Sequence, residues 1–160
     1  MAGIIAARAG ARVRIVERMP RVGKKLLATG AGRCNLCNVR AETQNYHGAD
    51  TSFMVSALRA FGEQSTLRFF EDLGIDAKEA ESGRVFPVTG QAANVLDVLR
   101  YEAERLGVVE VCDTKVQQIM PNGEGFRCFC LDAEDLLCER LILATGGKSS
   151  PNLGSNGGGY

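Results

Sequence analysis

The stretch AGIIAARAGARVRIVER, residues 2–18, carries the decision about fold. Residues 2–9 are rich in helix formers, and Gly10 is a helix stop. Val13, Ile15 and Val16 then make a short apolar strand that closes on Glu17. Helix, glycine, strand, carboxylate is the order of the second half of a βαβ unit. An amphipathic helix packed on an unrelated sheet gives the same order, so the rest of the chain has to decide.

Working outward, residues 19–38 are glycine-rich and polar and read mostly as loop, with a short helical turn near residues 24–27. Phe53, Ala57, Leu58 and Phe61 recur at helical spacing, as do Leu67, Phe70 and Leu73 in a second helix opened around Ser65 and Thr66. IDAKE and RVFPV are short extended pieces joined by a turn at Glu81, Ser82 and Gly83. A third helix covers residues 92–106. Strands follow at 108–112, 115–119 and 126–131, and the apolar run at 141–145 reads as a buried strand running into Gly146 and Gly147. The pattern is α/β, with an antiparallel meander placed before the last parallel strand. Val13 to Val16 and Leu141 to Ala144 are expected as parallel strands of one sheet, not necessarily adjacent, with the helix at residues 2–9 on one face.

Bulk properties exclude several classes. Lys plus Arg and Asp plus Glu number 19 each, so the formal charge is zero, which argues against nucleic acid or an anionic membrane as the main partner. No apolar run reaches the ~20 residues of a membrane span. Arg8 and Arg12 interrupt the N-terminal stretch too early for a signal peptide. The six cysteines come without a secretory signal and are read as reduced thiols in a cytoplasmic protein.

Three features point to a ligand. TGAGR, residues 29–33, is a turn that lets a ligand approach the backbone, with a cation beside it. The ATGG of residues 144–147 is a second such turn. Glu17, at a strand end, suits a ribose diol, because a carboxylate accepts two hydroxyl hydrogen bonds. Together they describe an extended ligand with a ribose, a pyrophosphate and a flat head group. Cys34 and Cys37 offer a different reading, a thiol redox or metal site. That reading has no second CxxC and only one histidine, His47, to draw on.

The sequence resembles the BaiN-type (bile-acid-reductase-like, aminoacetone-oxidase-family) flavoproteins, a branch of the glutathione-reductase-like class. The resemblance rests on GARVRIVER (10–18), VGKKLLATGAGRCNLCN (22–38), FFEDLGI (69–75), GRVFPV (83–88), VLDVLRYEAERLGV (95–108) and LILATGGKSSPNLGSNGGGY (141–160). It implies a partial Rossmann-like FAD-binding domain over residues 1–160, with a mainly helical segment at 40–107. It also implies an N-terminal fragment of a longer protein, starting just after the family's glycine fingerprint. The longer protein would pass hydride from NAD(P)H through FAD to a small organic acceptor, a conjugated enone being the class considered, with no nucleic acid or membrane partner. The chain alone would be inactive and would not retain FAD. The alternative is a non-catalytic nucleotide-binding remnant.

By resemblance, Glu17 and Arg18 lie at the adenosine ribose, and Lys24 and Lys25 at the pyrophosphate or its loop. Thr29, Gly30, Gly32, Arg33, Cys34 and Asn35 lie at the flavin ring. Val116 meets adenine through its backbone, and Ala144, Thr145, Gly146 and Gly147 pass the adenosine–pyrophosphate half. No metal ligand is expected, and the family pattern commonly has threonine where this chain has Cys37. Residues 155–160 resemble an STGDGY motif in which Gly158 replaces the aspartate. No catalytic acid is identified.

Overall fold

The computed structural model describes residues 1–153 and 156–158. In chain order the elements are α1 (Ala2–Arg8), β1 (Arg14–Val16), α2 (Lys24–Ala28), β2 (Cys37–Asn38), α3 (Phe53–Ala60) and α4 (Glu63–Asp72). They continue with β3 (Ala77–Glu79), β4 (Arg84–Pro87), α5 (Ala92–Arg105), β5 (Val109–Val111), β6 (Lys115–Asn122), β7 (Gly125–Leu131) and β8 (Leu136–Cys138). The chain forms two compact units. One comprises residues 1–25 and 101–160, the other residues 26–100.

The first unit holds a parallel pair and an antiparallel meander. β1 and β5 run parallel, with Ile15 opposite Glu110. The α1 helix packs against this pair at Gly3, where a side chain would still find ordinary van der Waals spacing. A β-carbon there would lie 3.4 Å from Val13 and 3.5 Å from Ile15. Ile4, one residue on, is 2% exposed. The last turn of α5 is tied to α1 by Glu102, whose carboxylate accepts from Arg8 Nη2 at 2.8 Å and from Arg105 Nε at 2.6 Å. β6, β7 and β8 form an antiparallel sheet in sequence order, with the ladder shifted between Val116 and Gln118.

The second unit holds α3, α4 and an antiparallel sheet of order β2-β4-β3. Its buried residues include Phe69, Phe70, Ile75, Val85, Phe86 and Val95. Phe69 meets Phe70 edge-on with ring centroids 5.4 Å apart.

Several expectations are corrected. Residues 141–147 join no sheet, and Ile142 and Leu143 are each 61% exposed, so the buried strand expected at 141–145 is absent. β1 takes β5 as its parallel partner instead. A strand exists only where a neighbour accepts from its N–H groups and donates to its C=O groups, and among the described residues this run joins none of the three sheets. The second helix, α4, starts at Glu63 after Gly62, not at Ser65 and Thr66; Thr66 Oγ1 donates back to the Gly62 carbonyl at 2.9 Å. β2 and β8, too short for any periodicity to show, were not anticipated.

Candidate functional site

In the first unit Glu17 directly follows the last residue of β1. Its N–H donates to Val111 O at 2.9 Å, and its carbonyl accepts from Thr114 N at 3.0 Å. This backbone bracket holds the residue at the carboxyl end of the parallel pair, where α/β sheets receive ligands. Its carboxylate is half-buried, and Oε1 accepts the Met19 N–H at 2.9 Å. Among the described residues no group is bonded to Oε2, so one lone-pair face remains for a hydroxyl. Arg18 follows, half-buried.

Lys24 and Lys25 open α2, and Lys25 Nζ donates to Ser149 Oγ at 3.4 Å. That contact sets Lys25 beside the segment that follows Gly146 and Gly147. Ala144, Thr145 and Gly146 are exposed, and Gly146 has a left-handed φ of 74°. Val116 stands in β6 opposite Cys130, and the ladder shift beside it leaves Gln117 outside the pairing. Of the residues matching the STGDGY motif, Ser155, Gly159 and Tyr160 lie outside the described residues.

In the second unit residues 29–34 form a loop of unusual backbone. Gly30, Ala31, Gly32 and Cys34 all have positive φ, at 57°, 56°, 83° and 61°. Left-handed backbone costs a non-glycine residue about 1–2 kcal/mol, so Ala31 and Cys34 are held there by their surroundings. Thr29 Oγ1 donates to Leu26 O at 2.7 Å, and Cys34 N donates to Thr29 O at 3.0 Å. Gly30 is required twice over. Its φ is left-handed, and a β-carbon would lie 2.8 Å from Phe86 Cε1 and 2.9 Å from Asn35 N. Arg33 and Cys34 form a right-handed then left-handed pair, the arrangement that makes anion-receiving concavities of backbone N–H groups. Among the described residues none accepts the Asn35 N–H. The Asn35 carboxamide, oriented with its nitrogen toward the carbonyls of Cys37 and Val85 (2.9 and 3.1 Å), leaves its oxygen free.

Neither thiol of the CxxC pair sits in surroundings that favour its thiolate. Burial raises the Cys34 thiol above its ordinary value, against a smaller opposing hydrogen bond from Thr29. Burial and then the charge of Glu63 raise Cys37. A redox or ligating thiol is the thiolate, favoured by the opposite environment. Among the described residues no group of three or more His, Cys, Asp and Glu is placed to hold a metal. His47 is exposed in the loop before α3.

Sequence reasoning missed Ser149 and Phe86. Ser149 could have been marked by its place two residues after the glycine pair; Phe86 carried no signal beyond an apolar position in a strand.

Residues 1–160 match the family model of the HI0933-like protein Rossmann domain. The chain is 41% identical over 164 residues to the 3-dehydro-bile acid delta(4,6)-reductase of Clostridium scindens, covering 99% of this chain and 40% of that protein. It is 31% identical over 156 residues to the ribosomal RNA dihydrouridine synthase of Escherichia coli, covering 98% and 38%. The chain therefore spans about two-fifths of the length of these relatives. Among solved structures, Thermovibrio ammonificans THI4 superposes with a TM-score of 0.52 at 14% identity, covering 85% of this chain and 48% of that one. At that identity the likeness concerns the fold.

Proposed function

The chain belongs to the HI0933-like protein Rossmann-domain family, and on that premise we propose that the whole protein is an FAD-dependent oxidoreductase. In this reading it uses NAD(P)H to saturate a carbon–carbon double bond conjugated with a carbonyl. The observation that carries the proposal is 41% identity along 99% of the chain to a protein named as a reductase of such a substrate.

Each unit, taken by itself, offers groups that support this reading. Glu17 keeps one carboxylate oxygen for a ribose hydroxyl, with Arg18 adjacent. Lys24 and Lys25 supply positive charge for phosphate. The left-handed loop at 29–35 presents backbone donors and the Asn35 oxygen to a polar ring edge. The Val116 backbone, beside a break in its ladder, suits an adenine edge, and the exposed turn at 144–147 lets a phosphate approach the backbone. FAD, when bound, supplies the hydride chemistry. The chain's own part is to fix the ligand and to place N–H dipoles where negative charge develops. The six cysteines are free thiols, which suits a reducing compartment, and we place the protein in the cytoplasm on that ground.

A second reading concerns substrate. The dihydrouridine synthase relative is named for an RNA base, whose reduced bond is also conjugated with a carbonyl. Between residues 12 and 25 the chain carries Arg12, Arg14, Arg18, Arg21, Lys24 and Lys25 against Glu17 alone. Zero net charge hides this cationic segment, which favours a polyanion. We retain the small molecule as the first reading because the reductase relative is the more similar.

The test uses the full gene product. It should purify yellow, release FAD on denaturation, and consume NADPH or NADH anaerobically in the presence of a 3-oxo-4-ene steroid. Consumption with uridine-containing RNA and not with the steroid selects the second reading. A colourless full-length protein that takes up no FAD overturns both.

A further inference from the structure

Phe86 is 3% exposed in β4, opposite Lys78 of β3. Two parts of the 29–35 loop converge on its ring. The Arg33 guanidinium carbon lies 4.3 Å from the ring centroid, and Arg33 Nε donates to the Gly30 carbonyl at 3.2 Å. Gly30 itself abuts the ring edge so closely that no β-carbon fits, and the same absent atom leaves room for the Asn35 amide. Ring, guanidinium and Gly30 carbonyl thus close a circuit around the left-handed residues. A run of positive φ at Gly30, Ala31, Gly32 and Cys34 is not a conformation that the local chain prefers, and it persists only when surrounding contacts over-determine it.

We infer that Phe86 and Arg33 are positioning residues that lock this loop in its left-handed form. They set the direction of the free Asn35 N–H, and Arg33 serves the cofactor through Phe86, not by touching it. The role at the cofactor rests on the proposed function; the lock itself does not. A guanidinium centred over a buried ring and bonded to its own loop is already committed. The planar fork suits this double duty, stacking with its face and donating with its edge, which lysine cannot reproduce.

The test begins without cofactor, by amide hydrogen exchange on the chain. Arg33 is exposed, so Arg33→Met leaves the core intact. It should speed exchange at Ala31 to Asn35 roughly two- to fivefold, the factor that a cation–π contact at an exposed site corresponds to. Phe86→Leu should speed it about tenfold or more, since packing at the ring edge is lost as well. The double variant should resemble Phe86→Leu alone, because residues acting through one contact are not additive. Unchanged loop exchange in a folded Arg33→Met protein, or a double variant equal to the product of the singles, overturns the lock. With FAD bound to the full-length protein, Arg33→Met and Phe86→Leu should shift the flavin midpoint potential in the same direction. A shift with Arg33→Met but none with Phe86→Leu would mean that the guanidinium touches the flavin, which also overturns the inference. Failure of the wild-type protein to bind FAD sinks the proposed function, and the exchange results then decide the lock by themselves.

Discussion

Replacing Glu102 with glutamine should remove a defined share of stability from the first unit, with a pH signature. Glu102 is 6% exposed, and its carboxylate accepts four hydrogen bonds, two from Arg8 and two from Arg105. The Arg105 and Arg8 hydrogen bonds, in that order, hold its carboxyl at about 2 instead of 4.5, against the desolvation that would raise it. Linkage turns that depression into a ceiling of about 3 kcal/mol. The Arg8 and Arg105 side chains are 36% and 58% exposed, so solvent screening brings the expected contribution to about 1–2 kcal/mol. The sign follows from a depressed carboxyl value. The stability is fully present above about pH 4.5 and is lost as pH falls toward 2. Guanidinium unfolding of both proteins at several pH values between 7 and 2 measures it. The glutamine variant should be weaker by about 1–2 kcal/mol at pH 7, and the gap should close between pH 4.5 and 2. Two curves that stay parallel through that interval would refute the assignment of the pH-dependent term to Glu102.

Gly30→Ala should cost about 2–4 kcal/mol in urea unfolding, from left-handed backbone plus overlap with a buried ring and a backbone nitrogen; an unchanged midpoint would mean that the loop relaxes freely. Glu17→Ala in the full-length protein should weaken FAD binding about tenfold or more, as a charge-assisted bond is worth roughly 1.5–3 kcal/mol. Flavin fluorescence titration reads this, and unchanged affinity would leave Glu17 as the cap of the Met19 turn. Leu143→Thr should change stability by no more than about 0.5 kcal/mol, as expected of an exposed position, while raising solubility. A melting temperature that collapses in that variant would show the run at 141–145 to be buried.

The helix and strand of residues 2–18 were readable because α1 and β1 obey local rules: helix formers, a glycine stop, then alternating β-branched residues. The same holds for α5 and for β7. The run at 141–145 misled for a physical reason. Composition reports how apolar a segment is, whereas strand formation depends on a neighbour at hydrogen-bonding distance. The start of α4 was misplaced because Ser65 and Thr66 are good capping types, yet Gly62 already has the extended backbone of a cap and precedes them.

By itself the sequence determined the α/β class, the parallel pair's first strand with its terminal Glu17, and the glycine-rich loop at 29–33, since each depends on residue type within a few positions. Only the tertiary structure decided what those residues face. It gave β1 the partner β5, set the Cys34 and Cys37 thiols in surroundings that keep them protonated, closed Glu102 between Arg8 and Arg105, and seated Arg33 and Gly30 on Phe86. These are contacts between residues far apart in the chain, governed by packing, burial and hydrogen-bond reach, and no local pattern encodes which distant side chain will arrive.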